Sequence, residues 1–187
     1  MYETSDIRKN LKIQLDGDPY VVIDFQFVKP GKGVAFTRTR LKNMITGNVL
    51  DKTFRSNEKI EPASLESHPM QFLYSMDNIY HFMNTETYEQ IAMDENQAGE
   101  SKDYLVENLE VEILFFKGQP IGINLPNFVE LKVSETEPGV KGDTASGGSK
   151  PAIMQTGAKI QVPFFINEGD WIVVDTRTGA YVERAKK

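Results

Sequence analysis

Lys32 is the side chain whose neighbours most favour a chemical role. Its segment is Lys29-Pro30-Gly31-Lys32-Gly33. The segment separates two runs of strand-forming residues, 20–28 and 34–43, so we expect a hairpin with the lysine at its tip. Proline fixes its own φ, and the glycines permit positive φ on either side of the lysine. The sequence therefore predicts an exposed amine on a short, shaped stalk, and a plain solvated turn is the alternative.

Basic side chains are segregated around this tip. Residues 29–50 contain no Asp or Glu, although the net charge of the chain is −6. Alternation along the strand 34–43 predicts one face with Phe36, Arg38, Arg40 and Lys42, and the other with Ala35, Thr37, Thr39 and Leu41. A row of cations below a lysine tip suits a phosphate backbone, and a solvated sheet face is the alternative.

Composition excludes several classes of protein. The 187 residues include no cysteine, which removes disulfides and thiolate metal sites and fits a cytoplasmic protein. His68 and His81 lack a second nitrogen or sulfur ligand at a useful spacing, so we expect no metal site. No residue pattern resembles a nucleophile with an adjacent base, so we expect no catalytic residue, no cofactor and no enzyme activity. Residues 1–6 show no basic region followed by an apolar stretch, so we expect no signal peptide. No uncharged run is long enough to span a bilayer.

Charge and periodicity predict three small β domains, 1–64, 65–127 and 128–187. These thirds carry 11, 2 and 8 basic residues against 8, 11 and 8 acidic ones, so the middle third is strongly acidic. Short strands separated by turn residues such as Thr46-Gly47-Asn48, Asp77-Asn78 and Arg177-Thr178-Gly179 indicate compact barrels.

Two segments depart from the strand pattern. Residues 85–92 place Tyr88, Ile91 and Ala92 at helical spacing, which predicts one short helix. Residues 137–151 are rich in Gly, Ser and Thr, which predicts a loop. Within it, residues 142–149 only superficially resemble a phosphate-binding loop, because no lysine follows the second glycine and no helix is expected.

Four stretches together resemble bacterial elongation factor P, a family related to the hypusine-containing initiation factor 5A family. The first is 27–36 and the second is 81–90. The third combines 126–131 with 138–144, and the fourth combines 150–152, 156–158, 162–165 and 169–170. The likeness spans essentially the whole chain. Val34 stands where proteobacterial members often have glutamine, and Asp170 stands where glutamate is usual.

The resemblance implies an all-β, L-shaped protein with an SH3-like first barrel and two oligonucleotide-binding-type barrels. It implies a cytoplasmic, monomeric factor that binds the 70S ribosome beside the peptidyl-tRNA and relieves stalling at consecutive prolines. Lys32 matches the tip lysine that a dedicated enzyme extends in this family. Arg38, Arg40 and Lys42 would contact tRNA or rRNA phosphates. Exit-site mRNA and the ribosome would be contacted by Gly142, Asp143, Thr144, Tyr181 and Arg184.

Two alternatives stay open. A general single-stranded RNA chaperone would need exposed aromatic platforms, for which Phe36, Tyr74, Tyr80 and Trp171 are available, although we expect most of them in the core. A paralogue with a different ribosomal duty would lack the tip lysine, so Lys32 argues against it.

Overall fold

The computed structural model describes residues 1–139 and 148–187, and almost all of its regular structure is β. The strands form three antiparallel sheets, which confirms the all-β class. The helical elements among the described residues are short: a 3₁₀ turn at Thr4–Asp6, an α-helical turn at Glu95–Ala98 and a six-residue 3₁₀ helix at Gly99–Tyr104.

The first sheet carries the tip. Its strands are β1 (Tyr2–Glu3), β2 (Lys12–Leu15), β3 (Asp18–Val28), β4 (Phe36–Asn43), β5 (Val49–Arg55) and β6 (Lys59–Pro62), in the spatial order β1-β6-β2-β3-β4-β5. Ile13, Val22, Leu41 and Phe54 lie in its buried core. On β3, β2 pairs with Asp18 to Val21, and Val22 exchanges backbone hydrogen bonds with Asn10 and Leu11 just before β2. Among the described strands, the rest of β3 pairs with β4 alone as it extends toward the tip.

The second sheet follows residue 65. Its strands are β7 (Glu66–Met76), β8 (Ile79–Asn84), β9 (Gln90–Asp94), β10 (Glu110–Phe116) and β11 (Gln119–Asn124), in the order β11-β10-β7-β8-β9. Asp77 and Asn78 both have positive φ, as the predicted two-residue hairpin requires. The buried Phe72 and Phe82 rings meet edge to face, 5.5 Å apart.

The third sheet ends the chain. Its strands are β12 (Phe128–Thr136), β13 (Ser149–Met154), β14 (Lys159–Pro163), β15 (Trp171–Asp175) and β16 (Ala180–Arg184), in the order β14-β13-β12-β15-β16. Leu131, Val162, Ile172 and Val174 are fully buried between its strands.

The helix predicted at residues 85–92 is wrong. The side-chain oxygen of Asn84 accepts the N–H groups of Glu86 and Thr87 at 2.8 and 3.0 Å, and Tyr88 has φ +64°. An asparagine that binds the following backbone N–H groups competes with a helix, and a left-handed residue ends one. The segment is therefore the turn between β8 and β9, and residues from Gln90 onward form strand.

The same turn recurs once in each sheet. It starts at Asn43, Asn84 and Asp175, whose side-chain oxygens accept backbone N–H groups two residues on. A threonine lies three residues after each of these starting residues, and its hydroxyl accepts the backbone N–H of the residue two positions beyond it. The residue four positions after each starting residue has positive φ; these residues are Gly47, Tyr88 and Gly179. Side chains within each turn thus accept hydrogen bonds from the turn's own backbone N–H groups.

The predicted loop 137–151 is too long, because β13 begins at Ser149. Lys150 is buried and donates to the carbonyl of Glu137. Phe164 packs against both ends of the shorter connection: a Cβ on Gly139 would lie 2.5 Å from its carbonyl oxygen, and one on Gly148 would lie 2.7 Å from its ring. Both positions therefore require glycine unless Phe164 moves.

Contacts divide the chain into two compact units, Met1–Ser67 with Leu114–Gly122, and His68–Ile113 with Ile123–Lys187. In the first unit, Leu114, Phe116 and Ile121 are buried with Met44 and Leu65 against them. The boundaries 1–64, 65–127 and 128–187 stay predictions.

The recurrent turn gives the first testable prediction. Tyr88 is 71% exposed at a position where the other two sheets have glycine. A left-handed conformation costs a side-chain-bearing residue ~1–2 kcal/mol, which exceeds the ~0.5–1 kcal/mol entropic cost of glycine. Tyr88→Gly should therefore be more stable to urea than Tyr88→Ala, by about 0.5–1 kcal/mol, with circular dichroism as the measurement. Equal stability of the two variants would contradict this strain.

Candidate functional site

The tip loop spans residues 29–35, between Val28 and Phe36, the last register pair of β3 and β4. Lys32 is exposed, and no hydrogen bond or ion pair joins it to any residue in 1–139 or 148–187. Of the two glycines beside it, only Gly33 has positive φ, at +107°. The loop therefore needs one left-handed residue, and its lysine amine is free for an external partner.

The base of the loop is fixed to the end of β5. The N–H and hydroxyl groups of Ser56 both donate to the carbonyl of Ala35, at 3.0 and 2.8 Å. The carbonyl of Ser56 in turn accepts the Thr4 hydroxyl at 3.1 Å. These bonds anchor the loop although its tip is exposed.

The alternation predicted for β4 is confirmed. Thr37, Thr39 and Leu41 are buried, whereas Arg38, Arg40 and Lys42 are exposed on the opposite face. The hydroxyl of Thr39 donates to the carbonyl of Lys52 at 2.7 Å, which explains how this polar group tolerates burial.

Arg40 has an acidic neighbour that its own stretch of sequence does not show. Its Nε donates to Oδ1 of Asp51 on β5 at 3.1 Å, and Asp24 lies opposite it on β3. The basic residues are thus segregated along the chain but not across the sheet. Because both partners of the pair are exposed, the bond is weak and open to competition.

Arg38 and Lys42 differ from Arg40. The guanidinium of Arg38 lies 5.5 Å from the centre of the Phe36 ring, and its cross-strand neighbours are Gln26 and Thr53. Lys42 lies opposite Val49. Neither cation has an ion pair within the described chain. Their charges are therefore available to an anionic partner, and their phosphate-binding role stays a prediction.

Sequence reasoning missed Arg55, which is opposite Phe36 in register and therefore on the same face as Arg38. Asp51, Thr53 and Arg55 alternate along the next strand, which indicates that they share one face. This pattern places Arg55 beside Arg38 only once the pairing of β4 with β5 is known.

Five residues in the last third were predicted to contact mRNA or the ribosome, and two of them have partners within the protein. Tyr181 packs against the core of the third sheet, and burial raises the pKa of its hydroxyl. Arg184 pairs with Asp170 at 3.5 Å. Gly142, Asp143 and Thr144 lie outside the described residues. All five contacts stay predictions.

Six aromatic side chains among the described residues are exposed: Phe25, Phe27, Tyr74, Tyr88, Phe128 and Phe165. Tyr74 is 51% exposed and stacks on His81 with ring centres 4.4 Å apart. Phe36, Tyr80 and Trp171 are half-buried. The expectation that most of these four rings lie in the core is therefore wrong.

Within residues 1–139 and 148–187, no cluster of three His, Cys, Asp or Glu side chains could hold a metal ion. Over the same residues, no helix has the length and apolar character to cross a membrane.

Comparison with known proteins covers nearly the whole chain. Three family models match: the elongation factor P KOW-like domain at residues 3–60, the elongation factor P OB domain at 65–123, and the elongation factor P C-terminal domain at 129–184. The elongation factor P of Pelotomaculum thermopropionicum is 55% identical over 184 residues, covering 98% of this chain and 100% of that protein. That of Desulfatibacillum aliphaticivorans is 51% identical over 187 residues, covering 100% of both.

A solved structure shows the same fold at low identity. Eukaryotic translation initiation factor 5A from Methanococcus jannaschii aligns with a TM-score of 0.52 and 20% identity over 67% of this chain and 90% of that one. With the sequence matches, the fold defines a translation elongation factor. The chain belongs to the elongation factor P family.

The Arg40–Asp51 pair gives the second prediction. Asp51→Asn removes the carboxylate that competes for Arg40, so the variant should elute from a heparin column at higher salt than wild type. Asp77→Asn is the matched control, because it makes the same charge change in the turn between β7 and β8. An equal shift in both variants would show that Asp51 does not restrain Arg40.

Proposed function

We propose that this factor binds the ribosome beside the peptidyl-tRNA and promotes peptide-bond formation at stalled consecutive prolines. Lys32, extended by a dedicated modifying enzyme, approaches the acceptor end of the tRNA. The observation that carries the proposal is an exposed lysine at an anchored hairpin tip, with no partner in the part of the chain that the structure describes, in a chain of this family.

The physical reason is positioning. Proline is a stiff and poor nucleophile, so the peptidyl-tRNA drifts from a productive geometry during a stall. Well-oriented reactants gain up to roughly 7–11 kcal/mol in model systems, far more than relief of a stall requires. A factor that holds the acceptor end therefore needs no bond-making group of its own, and the chemistry stays with the ribosome.

The tip lysine gives the third prediction. Lys32→Ala should fold normally but fail to relieve stalling on a triple-proline reporter in reconstituted translation, because an exposed tip contributes little packing. Lys32→Arg should also fail, since a guanidinium keeps the charge but offers no comparable amine for modification.

Lys117→Ala is the matched control for these variants. Lys117 is also an exposed lysine in a hairpin turn, between β10 and β11, and its loss should leave rescue unchanged. Full activity of either Lys32 variant would contradict the tip mechanism. Peptide mass spectrometry on native protein tests the modification directly.

The segment with Gly142, Asp143 and Thr144 is proposed to contact exit-site mRNA, with Tyr181 and Arg184 on the same domain. Glycine lets the backbone approach RNA closely, and Asp and Thr can hydrogen-bond base edges or ribose hydroxyls. An ordinary turn between strands is the alternative.

The fourth prediction separates these two roles. Asp143→Ala combined with Thr144→Ala should reduce rescue of proline stalls at limiting factor concentration while Lys32 is still modified. Modification depends on the first domain, so the mass of the tip peptide should not change. Wild-type rescue by the double variant would show that the segment only connects strands.

A further inference from the structure

A lysine side chain lies against an aromatic ring and a carboxylate on the outer face of the third sheet. Nζ of Lys187, which follows β16, lies 4.1 Å from the centre of the Trp171 ring and 3.0 Å from Oε2 of Glu130. A cation–π contact and an ion pair therefore hold one ammonium group together. Each contact is weak at an exposed site, so another lysine can displace Lys187.

The pairing of β15 with its two neighbours brings these groups together. On β12, Lys132 lies opposite Trp171, and Glu130 lies opposite Val173. On β16, Glu183 lies opposite Val173 from the other side. The alternate residues of β15 are buried, so these five side chains share the outer face of the sheet.

The backbone of the tryptophan is fixed independently of Lys187. The carbonyl of Trp171 accepts the N–H of Ala185 at 2.9 Å, which continues the pairing beyond the end of β16. On the preceding residue, the carboxylate of Asp170 accepts the backbone N–H of Asn167 at 2.9 Å. The aromatic surface is therefore in place whether or not Lys187 covers it.

The charges on this face favour a second cation. Glu183 has no ion pair within residues 1–139 and 148–187, whereas the nearby Asp175 is paired with Arg177 at 3.0 Å. Once Lys187 leaves, two carboxylates face the single ammonium group of Lys132. The vacated face is therefore negative, and a ligand with more than one positive charge suits it better than a lone amine.

The spacing of the two carboxylates favours a peptide. Glu130 and Glu183 lie on either side of β15, so their Cα atoms are about 10 Å apart, a distance that about three residues of an extended chain span. Val173 lies between them and is half-buried, so it can contact the methylene groups of a lysine side chain. An extended segment with several lysines can thus reach both carboxylates at once.

We infer that Trp171, Glu130 and Glu183 form a binding site for a lysine-rich peptide segment of a partner protein, and that Lys187 occupies this site until the partner arrives. One lysine of the partner replaces Lys187 over the ring, and a second pairs with Glu183. This site is independent of the proposed function, because neither Lys32 nor RNA takes part.

Tryptophan fluorescence of the full chain tests the site, because Trp171 is the only tryptophan. Lys187→Gln should change the emission of the free protein, whereas Lys186→Gln, the same change one residue earlier, should not. A tetralysine peptide with blocked ends should bind Lys187→Gln about three- to tenfold more tightly than wild type, because the competing lysine is gone. Equal affinities for wild type, Lys186→Gln and Lys187→Gln would overturn the occupied site.

Carboxylate variants and a second ligand identify what binds. In the Lys187→Gln background, Glu130→Gln and Glu183→Gln should each weaken tetralysine binding by about threefold, as expected for one exposed ion pair. Glu110→Gln, the same charge change at an exposed position of the second sheet, should have no effect. If either of the first two variants binds tetralysine unchanged, the site is wrong. Spermine should bind more weakly than tetralysine, and equal affinity would rule out a peptide as the ligand.

Discussion

The antiparallel pairing of β3 with β4 is the interaction on which the candidate site depends. Beyond Val22, no described strand other than β4 pairs with β3, so the hydrogen bonds to β4 carry the chain out to the tip. The register places Thr37 and Thr39 inward and the basic side chains outward. A slip by one residue would exchange these faces and bury three cations. The position of the tip lysine and the row of exposed cations below it therefore both follow from one strand register.

Much of this arrangement could be predicted from local patterns, because alternation and turn residues act within a few positions. The exposed face of β4 and the tip loop are of this kind. The pairing of Arg40 with Asp51 could not be predicted in the same way, since it depends on which residues lie opposite across two strands. Likewise, the spacing of Tyr88, Ile91 and Ala92 satisfied a helical pattern, but the Asn84 side chain captures the backbone N–H groups that a helix would need.

The net charge of the chain is −6, yet residues 29–50, which include the tip, contain no acidic side chain. The middle third carries 2 basic against 11 acidic residues, whereas the first third carries 11 against 8. Under the proposed function, this difference would favour the approach of RNA to the first third over the middle one, as expected where electrostatics supplies specificity.

The turn that recurs at Asn43, Asn84 and Asp175 bears on how the chain acquires its structure. Each copy completes its hydrogen bonds within six residues and joins two strands adjacent in sequence. Hairpins of this kind close in ~1–10 μs, whereas a nascent chain grows by only about 5–20 residues per second. Each sheet therefore has a local starting point that needs no residue from a later sheet. During synthesis, the hairpin below the lysine tip can form while the last third of the chain has not yet been made.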